Sequence, residues 1–240
     1  MITTKEKENT MQNNIVFLFI AIWLCAIIGF HFTYTIKFPK FNGFQWEQHF
    51  HGAMLMSWFG MLIIQPLLIR FNKRNTHRNL GKISYVLAPL VCYSVFLVSR
   101  MVYYREIKTR PIESVLAQLS IDIPTIFIFG LFFLLAMLNR KDAAVHMRYM
   151  IATSLLMLGP GLGRALTIFG GLPFPVAATI VIYISEIIAV LFLINDVRKG
   201  NNFKPFLTIT IILILNQLCW TYQTASWWQS IASWFVTHTF

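Results

Sequence analysis

Charge is what this sequence lacks. Of its 240 residues only 12% are Asp, Glu, Lys or Arg, and the acidic ones number nine. A water-soluble domain carries about 25%, because its surface must be hydrated. A surface this poor in charge faces hydrocarbon, which excludes most soluble folds. Cysteine is scarce as well: Cys25, Cys92 and Cys219 stand far apart inside apolar stretches, so neither a disulfide framework nor a CxxC metal site is present. Long polar segments are missing, leaving no room for a second soluble domain. GxSxG, P-loop, GxGxxG, HExxH and HxxxH patterns are absent too, which sets aside the hydrolase, nucleotide-binding and metalloenzyme classes that use them.

What is present is apolar length. Hydrophobic residues make up 57% of the chain and its mean hydropathy is +0.62. A bilayer core of about 30 Å needs about 20 apolar residues per helix, and a window of that size predicts seven spans: 14–33, 48–70, 83–104, 118–138, 147–169, 177–195 and 206–225. The expected fold is therefore all-α, a polytopic membrane helix bundle over 14–225. A tail at 1–13 precedes it, and an aromatic tail at 226–240 follows. The first apolar run is too long for a signal peptide and has no small-x-small cleavage pattern after it, so it reads as a retained helix.

The net charge of +11 would suggest nucleic acid in a soluble protein. Here the basic residues sit in loops, where they set topology. Lys5, Lys7, Arg70, Lys73, Arg74, Arg78, Lys82, Arg140, Lys141, Arg148, Arg198, Lys199 and Lys204 fall on one side. Lys37, Lys40, Arg105, Lys108 and Arg110 fall on the other. The bias predicts a multi-pass protein of a bacterial inner membrane, N-terminus cytoplasmic and C-terminus outside. Trp227, Trp228 and Trp234 then read as an outer aromatic belt.

An ionisable side chain inside hydrocarbon costs about 2.5 to 3.5 kcal/mol on insertion scales, so a span that keeps one turns it toward protein, water or ligand. His51, Arg100, Asp122 and Arg164 come from four consecutive spans and fall in one layer about a turn inside the outer ends. Glu186 lies deeper, and together they form the candidate outer polar site. On the second span His51, Trp58 and Gln65 are seven apart and share a stripe, whereas His49 and His51 point to nearly opposite sides. Tyr93 and Arg100 share a stripe on the third span. On the seventh, Asn216 and Gln223 flank Trp220.

In Gly159-Pro160-Gly161-Leu162-Gly163-Arg164 the proline removes a backbone donor and the glycines permit close approach. The segment reads either as a packing notch or as a ligand-lining kink. His77 and His146 both lie near the inner boundary, where they could clamp a haem iron or hold a metal ion, or simply hydrogen-bond to loops and lipid headgroups.

The run His51-Gly52-Ala53-Met54-Leu55-Met56, followed by a basic loop and then a histidine opening the next helix, resembles the core of transmembrane b-type cytochromes. That resemblance implies one haem-ligating histidine from each of four helices. His51, His77 and His146 match three of these positions. The fourth span has no histidine and carries Asp122 at that depth, so the resemblance implies at most a haem b held by His77 and His146. His77-Arg78-Asn79-Leu80-Gly81, with His146-Met147-Arg148-Tyr149-Met150 through Pro160 to Gly163-Arg164, is similar to uncharacterised bacterial polytopic membrane proteins. This second likeness covers roughly 47–170 and implies membership without an activity.

The leading functional expectation is a membrane redox or cofactor-binding protein. Its arginines would hold a quinone or small anionic ligand, while His51 and Asp122 exchange protons. The alternatives are a proton- or ion-coupled transporter or channel, and a structural or assembly protein in which Arg100 and Asp122 form only a buried ion pair. Nucleic acid is not an expected partner; the lipid bilayer is. Lys204 precedes the last span, so a retinal Schiff base is not expected.

Overall fold

The computed structural model describes residues 4–240, with side chains placed from Asn13 onward. Of the tail expected at 1–13, residues 1–3 lie outside the described residues, as do the side chains of Lys5 and Lys7. Among the described residues there is no strand. The helices are α1 (Thr4–His31), α2 (Trp46–Arg70), α3 (Arg74–Gly81), α4 (Ser84–Glu106), α5 (Ile112–Leu138), α6 (Ala143–Ile168), α7 (Phe174–Arg198), α8 (Lys204–Thr221) and α9 (Ser226–Thr239), with a 3₁₀ turn at Thr35–Lys37. All of them except α3 and α9 are long and apolar enough to cross a membrane, α1 over Asn13–His31. The chain is a polytopic all-α bundle with seven spans.

Local chemistry sets the boundaries. The Asp142 carboxylate caps α6 by accepting the Ala144 and Val145 N–H groups, each at 3.0 Å. Pro111 precedes α5, and Glu113 sits in its first turn, where a negative charge complements the helix dipole. The helix therefore begins six residues before the apolar window at 118. Pro175 in the first turn of α7 starts that helix at Phe174 rather than 177. At the other extreme α8 stops at Thr221, short of 225, and the chain turns before α9.

Helix α6 is the centrepiece, packed against α1, α5, α7 and α8, while α1, α2, α4, α5, α8 and α7 follow one another as neighbours around it. The α1–α6 crossing depends on glycine. A Cβ on Gly161 would lie 2.6 Å from Ala26 Cα, and one on Gly29 would lie 2.0 Å from the Gly161 carbonyl oxygen. Nothing lies within 4 Å of a Cβ on Gly159 or Gly163. Of the two readings of this segment the packing notch is realised, at Gly161 alone. Small residues let transmembrane backbones approach in just this way. Around the notch, Trp58, Phe59, Phe132, Leu155 and Ile209 form the interior of the bundle.

Helix α9 folds back on the bundle. Trp228 Nε1–H donates to the Leu116 carbonyl at 3.0 Å, and Phe235 and Phe240 pack on Phe96. Trp228, expected in an interfacial belt with Trp227 and Trp234, is buried, whereas the other two are exposed. Because successive spans alternate, Arg70, Lys73, Arg78, Lys82, Arg140, Lys141, Arg198 and Lys199 gather at one end of the bundle, the basic end; Lys37, Lys40, Arg105, Lys108 and Arg110 mark the far end.

Candidate functional site

Near the far end, four helices contribute to one polar cluster inside the membrane-spanning layer. His51 of α2 meets Ser94 of α4, with Nδ1 and Oγ 3.0 Å apart. The Ser94 hydroxyl proton is already donated to the Val91 carbonyl at 2.7 Å. Ser94 Oγ must then accept, so His51 holds its proton on Nδ1 and presents an Nε2 lone pair. Arg164 of α6 is close enough to act on His51 electrostatically, and on Asp122 of α5 as well. Ser99 of α4 lies beside Asp122, its hydroxyl proton donated to the Val95 carbonyl at 2.9 Å. Ser94 and Ser99 are both buried.

No ion pair within 4.0 Å joins Arg164 to Asp122 among the described residues. Instead the Arg164 guanidinium lies over the Phe30 ring, 4.1 Å from its centroid, and donates one N–H to the Pro160 carbonyl at 3.1 Å. Its side chain stays exposed. The carboxylate and the guanidinium thus feel each other across a gap, with donors on the arginine uncommitted and a lone pair on the histidine nearby. Chemically this is a place for a small group bearing an acceptor oxygen and an exchangeable proton.

Two expected members stand elsewhere. Arg100 is exposed and lies over the Tyr104 ring at 5.8 Å, and Tyr93 on its stripe is also exposed. That stripe of α4 faces outward, and Arg100 makes no buried pair with Asp122. Glu186 sits on α7 with Oε1 buried and without a partner. Ser94 and Ser99 are the residues that the sequence reading passed over. Their signal is a run of small hydroxyl residues on the buried face of α4, which also holds Leu87, Val91 and Leu97.

At the basic end, His77 of α3 and His146 of α6 do come close enough to interact electrostatically. Their hydrogen bonds give them opposite characters. His146 Nδ1–H donates to the Ala136 carbonyl at 2.9 Å, which leaves Nε2 with a lone pair. His77 Nδ1 accepts from the Gln65 side-chain amide, whose oxygen in turn accepts the Gly81 N–H at 3.2 Å. His77 therefore carries its proton on Nε2. A bis-histidine haem needs an Nε2 or Nδ1 lone pair from each ligand, and in this arrangement the Nδ1 of His77 is occupied by Gln65. No group of three or more His, Cys, Asp or Glu fit to hold a metal ion occurs among the described residues. This arrangement gives no support to a haem b or a metal ion held by His77 and His146. Burial, His146 and Arg78 together hold the His77 imidazole below its usual range.

The basic end also holds a pairing that the sequence reading missed. Arg148 Nε–H and a terminal N–H donate to the two Asp196 oxygens at 2.7 and 2.8 Å, and the other terminal nitrogen donates to the Ala144 carbonyl at 2.8 Å. Asn201 donates to Asp196 at 3.2 Å, and the Phe206 ring lies 5.9 Å from the guanidinium carbon. Both partners are buried. Arg148 reads in the sequence as a topological anchor; in the fold it ties α6 to α7. Asp196 falls one residue beyond the apolar window ending at 195, outside the spans in which buried charge is sought.

The chain matches no family model, no curated protein and no solved structure.

Proposed function

We propose that the cluster of His51, Asp122 and Arg164 binds a small amphipathic molecule with a carbonyl or acidic headgroup, a quinone or similar ligand, arriving from the lipid phase. Arg164 donates to the headgroup oxygen while His51 Nε2 and Asp122 exchange protons with it. The observation that carries this reading is the unpaired approach of Arg164 and Asp122. Opposite charges inside a membrane normally close on each other or on another partner, since an unpaired one is costly. Here the buried Ser94 hydroxyl holds His51, Ser99 lies beside Asp122, and the arginine keeps donors free. Phe30 against the guanidinium adds a flat aromatic wall, which suits a planar ring.

The protein would be oriented with its N-terminus in the cytoplasm and the cluster in the outer half of the bilayer of a bacterial inner membrane. The excess of basic residues at one end of the bundle supports that orientation. The test is organic extraction of the purified protein, with bound isoprenoid quinone quantified by mass spectrometry. Close to one quinone per chain is expected, with loss from Arg164→Gln and retention in Arg100→Gln, whose guanidinium lies outside the cluster. Equal quinone content in wild type and Arg164→Gln would contradict the proposal.

A further inference from the structure

Two oxygens, Glu186 Oε1 of α7 and Asn216 Oδ1 of α8, are buried without any hydrogen-bond partner. Their helices are held in antiparallel register by two cross-helix hydrogen bonds. Trp220 Nε1–H donates to Thr179 Oγ1 and Gln217 Nε2–H donates to the Tyr183 hydroxyl, each at 2.9 Å. This register sets Asn216 level with Tyr183 and Ile184, and Glu186 level with Leu213 and Ile214, an axial offset of about 4 Å at 1.5 Å per residue. Toward the far end a cleft of about 320 Å³ opens between the same helices, lined in part by Thr179, Ile182, Tyr183 and Gln217. Thr179, Ile182 or Tyr183, and Glu186 succeed one another at three- and four-residue spacing, so Glu186 continues the cleft wall one turn deeper.

Acceptor oxygens without donors call for a positive partner. No charged side chain acts on Glu186 among the described residues. Of the cations on α6, Arg148 is bound to Asp196 and Arg164 belongs to the other cluster. Lys204, the one cation of α8, lies at its basic end, and the titratable side chain beside Glu186 on this seam is Tyr183, while Cys219 packs toward α5 and α9. A hard metal ion takes about six oxygens or more, whereas two are on offer. A single proton satisfies both, because a neutral Glu186 can donate its O–H to the Asn216 amide oxygen. We propose that Glu186 is a proton-exchange site loaded from the far-end cleft, with Asn216 as the acceptor that holds the acid form. It is a second site, independent of the His51–Asp122–Arg164 reading.

The test is carbodiimide labelling of the full chain in liposomes, read by peptide mass spectrometry. Dicyclohexylcarbodiimide reacts with a protonated carboxyl. The acid proton passes to one carbodiimide nitrogen as the carboxyl oxygen bonds to the central carbon, and the O-acylisourea rearranges to a stable N-acylurea with nothing lost. The peptide containing Glu186 should take up label that declines roughly tenfold or more from about pH 6 to about pH 9, since each pH unit above a group's midpoint lowers its acid form tenfold. Glu186→Gln should abolish that label. Asn216→Leu, checked for folding by gel filtration, should lower it severalfold at fixed pH. Absent labelling, labelling independent of pH, or protection by sodium or lithium at constant pH would each overturn the proposal. Unchanged labelling in Asn216→Leu would remove Asn216 from it.

Discussion

Replacing Asp196 by alanine should be the most damaging polar substitution in the bundle. It removes two charge-assisted hydrogen bonds at 2.7 and 2.8 Å and leaves the guanidinium with its hydrogen bond to the Ala144 carbonyl and the Phe206 ring beside it. The Arg148 side chain is only 7% exposed and that of Asp196 4%, so solvent does little to screen the pair or to rescue the survivor. Breaking a buried pair from one side costs about 3–5 kcal/mol, because the remaining charge stays buried and uncompensated. For a chain of this size that is a fall in melting temperature of about 6–20 °C, at about 2–4 °C per kcal/mol. The half-buried cysteines Cys25, Cys92 and Cys219 are free thiols, so unfolding in detergent can be followed by a maleimide dye that fluoresces on reaction with them. Removing both charges, Arg148→Met with Asp196→Leu, should restore most of the loss, since apolar replacement of a whole buried pair is often neutral. An Asp196→Ala protein melting with the wild type, or a double variant as unstable as the single one, would refute the reasoning.

Gly161→Ala should cost about 1–3 kcal/mol or more, as overpacking does, because its Cβ would meet the Ala26 backbone. Gly163→Ala, with open space at its Cβ, should melt within about 0.5 kcal/mol of wild type, and the same thiol assay compares them. His77 is held below its ordinary value of 6.5, so acid protonates the unfolded chain first. The stability this neutral histidine contributes is present above about pH 6.5 and lost as pH falls toward its folded value. His77→Gln should therefore flatten the decline in melting temperature from about pH 7 to about pH 5, and an unchanged pH profile would count against it. Alkaline phosphatase fused after Phe240 should be active in cells, and green fluorescent protein fused there dark. The reverse pattern would invert the proposed orientation.

The fold was largely legible because hydrocarbon imposes a crude rule: about 20 apolar residues per crossing. Seven windows met it and seven helices do. The helix ends were less legible. Polar residues in the first turn of α5, Glu113 and Ser114, belong to the helix yet fall outside the apolar window. The α2 stripe was readable from spacing alone, and each member finds a partner on another element: His51 with Ser94, Trp58 with Thr153, Gln65 with His77. Spacing on α4 gave Tyr93 and Arg100 a common face but not its direction; an outer α4 surface with exposed Tyr93 and Arg100 has the same period as an inner one. Asp196 was illegible because its meaning lies 48 residues away, at Arg148. The haem expectation found no support, because the nitrogen each histidine leaves open depends on where Gln65 and the Ala136 carbonyl point rather than on the histidines themselves.

The central claim is that Arg164, His51 and Asp122 act together on one ligand headgroup. Its most direct test is titration of the purified protein with a short-chain benzoquinone, read by quenching of tryptophan fluorescence, for wild type, Arg164→Gln and His51→Gln side by side. Saturable binding in wild type, weakened about tenfold or more by either substitution, is predicted, a factor of ten corresponding to about 1.4 kcal/mol for a lost charge-assisted hydrogen bond. Saturable binding of equal strength in all three proteins, or none in wild type, would contradict the account.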